Sequence, residues 1–493
     1  MSERKSTIRE APPHTETTAG GAFGWSLANT LVSRLGTLGI GIVLARVLGP
    51  GEFGTFAIAL VALMAVLSFN ELGVSLAIVR WPTDPSLIFP TVNMLSTAGS
   101  VVFCVLGWLA APRFTHLMGD SGATDVVRLL IFSVLLNGIV AAPAALLQRT
   151  FQERTRMGID QVNVWSGAVI SVALALLGMG AMALAVGRLV GSALSAVMFL
   201  RASPMPYRFG WDRSRAMSLA KFGLPLAGAS IVMFAVGYAD QLVAGSILGA
   251  AALGFYVLAF NLSSWPLNIV SQPLRRVAPA VFAAIQHDPE RSHHAVRGLL
   301  GILASAAFPA FLALAGAAGP LVRLVYGEPW IPAAKVLSWL VVAALSKVFY
   351  ELVYDYLVVA GRTGTVMMIQ LAGLVVLVPA LWFGATVAGL VGLAAAQAAV
   401  AFVVLMPMYL WQLRRAGIGL GSMLGMLWLP AISGLVVGMV CYLCARLIPI
   451  PLLALSAGAL FSLLVMAGLL YLRRGDIRSL LQISRHESIE ATP

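Results

Sequence analysis

LGPGEFGTFAIA at residues 48–59 returns as LGAAALGFYVLA at residues 248–259, and this internal repeat predicts how the chain is organised. The two stretches share a leucine, two glycines, an aromatic residue and an alanine at equivalent positions. Each joins two apolar segments, so glycine at the turn positions predicts a tight reversal between neighbouring helices. Because both turns lie on the same side of the apolar segments, the sequence predicts two parallel repeats of about six helices. Such repeats are typical of transporters that hold substrate between two lobes.

About fourteen apolar segments of roughly 20 residues follow one another along the chain, each long enough to cross a ~30 Å hydrocarbon core. The fold class predicted is therefore an all-α polytopic membrane protein. The segments are predicted at residues 24–47, 55–79, 87–111, 124–147, 160–178, 180–200, 218–247, 252–274, 297–319, 333–358, 364–384, 388–411, 423–445 and 451–472.

The repeat and the segments together predict two pseudo-symmetric six-helix lobes around a central cavity, with two further helices at the C-terminus. The predicted parts are an N-terminal tail (1–23), an N-lobe (24–200), an inter-lobe linker (201–217), a C-lobe (218–411), helices 13 and 14 (423–472) and a C-terminal tail (473–493).

Charge placement supports this count of spans. The chain has 32 lysines and arginines, and most of them lie in loops on one side of the predicted membrane. A missed or invented helix would exchange the sides of all later loops and blur this asymmetry. Basic loops face the cytoplasm, so both termini are predicted to be cytoplasmic. The basic residues of the outward loops are Arg46, Arg113, Arg323, Lys335 and Arg446.

Composition excludes several classes of function. Hydrophobic residues make up 59% of the chain and charged residues only 11%, unlike soluble domains. The net charge of +12 is interpreted as topology signals and contacts to anionic lipid, not as a nucleic-acid surface. The sequence has no phosphate-binding loop, nucleophile elbow or metal-spaced cluster. We therefore expect a transporter without metal or cofactor, driven by H⁺, Na⁺ or the membrane potential.

Three groups of ionisable residues lie inside the predicted spans, where they are costly and usually functional. Arg34 lies midway along the first span, one turn after Thr30, and Glu71 lies at similar depth on the second. One interpretation is an Arg34–Glu71 ion pair between neighbouring helices. The other is positive charge offered to an anionic substrate in the cavity, and the two are compatible. The second repeat has Phe234 and Ser271 at the equivalent positions and does not copy these charges.

The second group shares one face of the tenth span. Lys347, Glu351 and Asp355 recur at i, i+4 and i+8, and Tyr350 and Tyr354 extend the same polar stripe. An intrahelical Lys–Glu pair would explain part of it. We favour a cavity-lining stripe for coupling ions or sugar hydroxyls, because such a stripe facing lipid would be costly.

The third group is Asp240, in the outer third of the seventh span, and Arg188, at comparable depth on the sixth. Together they could close an outward gate or bind an ion. Alternatively, each pairs with a neighbour of its own.

A set of motifs in a defined order resembles the bacterial oligosaccharide flippases, of the O-antigen or colanic-acid type, in the multidrug/oligosaccharidyl-lipid/polysaccharide exporter superfamily. Each motif is modest alone, and their order along two-thirds of the chain gives the specificity. They include ARVLGPGEFGTFAIA (45–59), ELGVSLAIVR (71–80), KFGLPLAG (221–228), RRVAPAVFAAIQHD (275–288) and YGEPWIPAAKVLSWL (326–340).

The resemblance implies that a polyprenyl-diphosphate-linked oligosaccharide moves from the inner to the outer leaflet of the cytoplasmic membrane, for cell-surface polysaccharide synthesis. We expect alternating access by a monomer in contact with membrane lipids, and glycan polymerase or glycosyltransferase machinery is a candidate partner. Family members use cavity arginines for the diphosphate, which assigns that role to Arg34. The second lobe has no span-centred arginine opposite it, so Arg275 and Arg276, near the cytoplasmic surface, are candidates to substitute.

Other functions remain open. The same superfamily contains ion-coupled multidrug or metabolite antiporters and the flippase of the peptidoglycan precursor, lipid II. Antiporters usually have twelve spans, so fourteen favour a lipid-linked substrate. A membrane polysaccharide polymerase or ligase is the distant alternative, and it would typically carry a large outward loop, which this sequence lacks.

Overall fold

The computed structural model describes the backbone of residues 19–70, 74–80, 84–284, 289–417 and 420–476. It describes the side chains of residues 39–70, 76–80, 84–267, 296–417, 421 and 425–476. Within these ranges the regular structure is helical. The helices are α1 (Ala19–Asn70), α2 (Val74–Arg80), α3 (Phe89–Leu117), α4 (Thr124–Arg149), α5 (Glu153–Leu176), α6 (Ala181–Ala202), α7 (Arg213–Ala284), α8 (Pro289–Gly316), α9 (Ala318–Val325), α10 (Pro332–Val359), α11 (Thr363–Val400), α12 (Met406–Arg415), α13 (Leu420–Leu447) and α14 (Pro451–Leu472).

Three of these stretches are too long to be single spans. α1 has 52 residues and α7 has 72, and Thr363–Arg415, from α11 through a π-helical turn to α12, has 53. A straight helix of 72 residues would be about 108 Å long, several times the hydrocarbon core. Each stretch instead breaks at a glycine with positive φ: Gly49 (72°), Gly249 (80°) and Gly389 (58°).

Each break divides one stretch into two spans. In the described part of the chain, 11 helical stretches are long and apolar enough to cross a membrane. Counting the three broken stretches as two spans each gives the predicted fourteen. The predicted all-α, polytopic fold class is confirmed.

The two repeated turns contact each other. Gly49 and Gly249 adopt nearly the same backbone conformation, with ψ at 175° and −179°. A Cβ atom on Gly54 would lie 1.8 Å from the carbonyl oxygen of Ala250, and one on Gly254 would lie 2.4 Å from that of Pro50. Each glycine thus faces the residue four positions before the other, as expected for an approximate twofold relation between the repeats.

Trp330 fills the space beside this contact. Its side chain is buried, and its indole N–H donates to the carbonyl oxygen of Ala45 at 3.1 Å. Its ring meets Phe53 of α1 and Phe255 of α7 edge-on, at centroid distances of 5.5 and 5.8 Å. We call Gly54, Gly254 and Trp330 the turn-side seal, because they join the two halves at the end of the molecule that carries the glycine turns.

The connection between the halves is docked rather than loose. Residues 203–212 follow α6 and lie against the first turns of α3, at the end of the molecule opposite the seal. The backbone N–H of Gly210 donates to the carbonyl oxygen of Pro90 at 3.2 Å, and Asn93 Nδ2 donates to that of Arg208 at 3.1 Å. The hydroxyls of Thr97 and Tyr207 are 2.8 Å apart.

The last two spans pack on the second half. α13 lies against α8 and α14, and α14 also contacts α8. Small residues permit this close approach: a Cβ atom on Gly316 would lie 2.3 Å from the carbonyl oxygen of Gly438. Such small-residue contacts are how helices associate in lipid, where apolar surface gives no preference for a protein neighbour. The predicted lobe boundaries stay predictions.

Candidate functional site

A cavity of about 650 Å³ lies in the first half, which we call the first-half cavity. It extends from Met64 towards Gln148 and Arg156, at the helix ends away from the turn-side seal. Its wall combines apolar side chains with amides and hydroxyls, and the lining residues come from α1, α2, α3, α4, α5 and α7. The lining residues are Met64, Leu67, Ser68, Asn70, Leu76, Val79, Ser96, Asn137, Gly138, Ala141, Ala144, Ala145, Gln148, Arg156, Leu226 and Ser230.

Uncharged amides give this cavity its polar character. Asn137 and Gln148 are exposed to it, and neither side chain has a hydrogen-bond partner in the described part of the chain. Asn70 Nδ2 donates to the Ser100 hydroxyl at 2.9 Å, whereas Asn70 Oδ1 is buried without a partner. These three amides are not among the predicted site residues. An amide inside an apolar span needs a polar neighbour or a wet cavity, but hydropathy gives little sign of a single one.

A second cavity, of about 410 Å³, lies between α7, α10 and α11, and we call it the second-half cavity. It contains four members of the predicted stripe: Lys347, Tyr350, Glu351 and Tyr354. Lys347 Nζ is 3.8 Å from Glu351 Oε1, with side-chain exposures of 45% and 15%. The ion pair and the cavity-lining position therefore coexist. Asp355, the fifth member, is buried and does not line this cavity.

Asp240 lies at the wall of the second-half cavity and is held by hydrogen bonds. The Tyr256 hydroxyl donates to its Oδ2 at 2.7 Å, and the backbone N–H of Gln241 donates to its Oδ1 at 2.8 Å. Gln397 Nε2 is 3.4 Å from Oδ2, and Gln397 Oε1 also contacts the Tyr256 hydroxyl. Asp240 and Tyr256 are buried, and no cationic side chain of the described ranges pairs with Asp240. A buried carboxylate in this setting is well placed to take up a cation or a proton.

No hydrogen bond or ion pair joins Arg188 to Asp240 among the described residues, and the outward gate or ion site predicted for them stays a prediction. Arg188, on α6, is exposed, and its electrostatic neighbour is the phenol of Tyr238 on α7. Tyr238 stacks in turn on Phe234, with ring centroids 5.0 Å apart. Asp240 finds its hydrogen-bond donors within the second half.

The predicted diphosphate site lies outside the described side chains. Arg34 and Thr30 are in α1, but their side chains are not among those described, and neither are those of Arg275 and Arg276 in α7. Glu71 falls between α1 and α2, outside the described residues. The Arg34–Glu71 pair therefore stays a prediction.

The fold and its two cavities define a multi-pass membrane transport protein, built from two repeated halves that contact each other at the turn-side seal and enclose polar cavities within. The chain belongs to the polysaccharide biosynthesis protein family, which matches residues 43–335. The predicted family is thereby confirmed.

Individual relatives agree with this assignment. The chain is 26% identical over 380 residues to the lipopolysaccharide biosynthesis protein WzxC of Escherichia coli (strain K12), covering 76% of this chain and 77% of that one. It is 29% identical over 337 residues to the succinoglycan biosynthesis transport protein ExoT of Rhizobium meliloti (strain 1021), covering 66% and 65%.

Solved structures share the fold. The lipid II flippase MurJ, in an inward closed conformation, superposes with a TM-score of 0.74 at 13% identity, over 91% of this chain and 98% of that one. A multidrug resistance MATE family transporter in an inward-facing conformation gives 0.60 at 16% identity, over 78% and 94%. These similarities show the two-lobe fold and confirm that part of the prediction.

Proposed function

We propose that the protein translocates a polyprenyl-diphosphate-linked oligosaccharide from the inner to the outer leaflet of the bacterial cytoplasmic membrane, for cell-surface polysaccharide synthesis. One observation carries the proposal: the two halves are sealed at one end, and a polar cavity of about 650 Å³ reaches the other. Membership of the polysaccharide biosynthesis family supplies the substrate class.

The direction of transport follows from the charge asymmetry. The turn-side seal lies on the side of the few outward basic residues, so it faces away from the cytoplasm under the positive-inside rule. The first-half cavity then faces the cytoplasmic leaflet, where the substrate would be loaded. Separation of Gly54 from Gly254 and release of Trp330 would open the outer side, which is rocking of two repeats about a central site.

Arg34 is the residue we propose to bind the diphosphate, with Thr30 and Glu71 beside it in the predicted central cavity. A guanidinium offers paired donors to phosphate oxygens, which a lysine cannot reproduce. Arg275 and Arg276 are proposed to receive the anionic headgroup at the cytoplasmic mouth of the second half. These roles rest on the sequence and on the family resemblance.

The second-half cavity is proposed to couple transport to an ion gradient. Asp240, with Tyr256 and Gln397 around it, would bind H⁺ or Na⁺, and the Lys347–Glu351 pair on the same wall would respond to that charge. No nucleotide or cofactor is needed in this scheme. One chain contains both halves, so we propose that a monomer suffices, with glycan polymerase or glycosyltransferase machinery as candidate partners.

A lipid II flippase is the second candidate function, because the structure of MurJ covers almost the whole of this fold. Both functions move a diphosphate-linked glycan, and only the glycan differs. An ion-coupled antiporter is the other alternative, and the carboxylates Asp240 and Glu351 at the second-half cavity would serve it.

The test is the membrane face on which the lipid-linked oligosaccharide accumulates. In cells depleted of the protein, an impermeant glycan-modifying enzyme added outside should find less substrate, and wild-type protein should restore it. The same assay on lipid II separates the second candidate. Normal outward exposure in depleted cells, with other flippases deleted, would refute the proposal.

A further inference from the structure

The amide-lined face of α4 in the first-half cavity has the chemistry of a sugar-binding cleft. We infer that Asn137 and Gln148 form the glycan subsite of the transporter, and that its ligand is a neutral, hydroxyl-rich oligosaccharide. The inference rests on the proposed function and specifies which part of the substrate this cavity receives.

Asn137 and Gln148 have unsatisfied hydrogen-bonding groups. Each offers two N–H donors and one acceptor oxygen, and neither has a protein partner in the described part of the chain. Asn70 adds a third group, since its Oδ1 is buried in the same wall without a hydrogen bond. Polar groups at membrane depth cost free energy unless water or a ligand satisfies them. Sugar hydroxyls can donate to and accept from each of these amides.

The spacing of Asn137 and Gln148 along α4 suits an oligosaccharide. Asn137, Ala141, Ala144 and Gln148 stand at i, i+4, i+7 and i+11, so they share one face of α4. The two amides are therefore about 16 Å apart along the helix axis, with a floor of alanine between them. Small side chains on that floor leave room for several sugar rings, and about 650 Å³ is a usual volume for a ligand-binding cleft.

The charge of the lining distinguishes the first-half cavity from the second-half cavity. Among its described lining residues the only formal charge is Arg156, near the helix ends away from the seal. Arg156 NH1 is 3.8 Å from Glu153 Oε1, a weak pair one turn apart on a half-exposed surface. The second-half cavity carries Asp240, Lys347 and Glu351 instead. A neutral polyol matches the first lining, and apolar side chains such as Leu67 and Leu226 can contact the ring faces.

Binding to two lipids tests the inference. The probes are undecaprenyl diphosphate and the same lipid carrying a neutral oligosaccharide repeat unit, purified from membranes of cells that lack the protein. Calorimetry on the full chain in nanodiscs should show that the double variant Asn137→Ala, Gln148→Ala binds the glycosylated lipid about 10- to 100-fold more weakly than wild type. Binding of the bare lipid should not change. Gln161→Ala is the matched control, because Gln161 bonds Trp165 on its own helix, outside both cavities.

A second variant tests the space independently of the amides. Ala141→Phe fills the floor of the cavity, so it should weaken binding of the glycosylated lipid and spare the bare lipid. Unchanged affinity in both variants would overturn the subsite, and so would equal weakening for both lipids. If wild type binds neither lipid, the proposed function itself fails. If wild type binds the glycosylated lipid and the variants bind it equally well, the glycan subsite is refuted and the proposed function stands.

Discussion

The turn-side seal predicts what a single added methyl group should do. Gly54→Ala places a Cβ atom 1.8 Å from the carbonyl oxygen of Ala250. That atom belongs to the backbone, so it cannot rotate away, and an ordinary contact needs about twice the distance. Overpacking of this kind typically costs about 1–3 kcal/mol. Because only the sealed state contains the contact, the conformational equilibrium should shift towards the outward-open state by about 5- to 150-fold.

Labelling of a cysteine behind the seal measures this shift. Ala57 is 2% exposed and lies about one turn beyond Gly54. In a background without Cys104, Cys441 and Cys444, Ala57→Cys should react slowly with an impermeant maleimide added from the outer side. Adding Gly54→Ala should raise the labelling rate by about 5- to 150-fold.

Gly51→Ala is the matched control, because a Cβ atom at Gly51 meets nothing within 4 Å. It lies in the same turn and should label at the parent rate. Equal labelling of Gly54→Ala and Gly51→Ala, in protein of unchanged melting temperature, would refute the role of this contact in closing the outer side.

Three further predictions follow from the charged groups. Arg34→Ala should abolish translocation without loss of inserted protein, and Arg34→Lys should restore it only in part. The measurement is the exposure of glycan outside the cell, and full rescue by lysine would contradict paired contacts to phosphate. Asp240→Asn should remove the dependence of transport on an imposed ion gradient in proteoliposomes, whereas Ser246→Ala, on the same helix and outside both cavities, should leave it intact. Hydrogen bonds from Ser214 hold the pKa of Asp212, at the start of α7, below its ordinary value. The ionised carboxylate therefore stabilises the fold above a pH of about 4 and ceases to do so as pH falls. Asp212→Ala should thus lower the melting temperature at neutral pH and lower it less in acid. A pH-independent loss would contradict the stabilising role of the ionised carboxylate.

Much of the fold could be predicted from the sequence because the bilayer imposes strong rules. Spans must be long, apolar and helical, and basic loops reveal their sidedness. The repeat located Gly49 and Gly249 at equivalent turns, where the structure shows positive φ at both. Reciprocal packing of Gly54 and Gly254 was not predictable, since it depends on how the two halves meet rather than on either sequence alone.

The candidate site was predicted less completely. Charge inside the spans predicted Lys347, Glu351 and Asp240 as site residues, and all three lie at the second-half cavity. Asn137 and Gln148 were passed over because a single amide hardly changes the hydropathy of a span. Whether Arg188 would meet Asp240 depended on the rotation of α6 and α7 about their axes, which boundaries uncertain by a few residues cannot fix.

The docked connection at residues 203–212 implies a division of labour that could be exploited in engineering. Uncharged amides line the first-half cavity, and carboxylates line the second-half cavity. Residues 203–212 connect the two halves along the chain. A hybrid that joins the first half of this protein to the second half of a relative should then inherit its glycan preference from one parent and its energy source from the other. Duplication of one half followed by specialisation would have allowed the glycan substrate and the coupling ion to change independently.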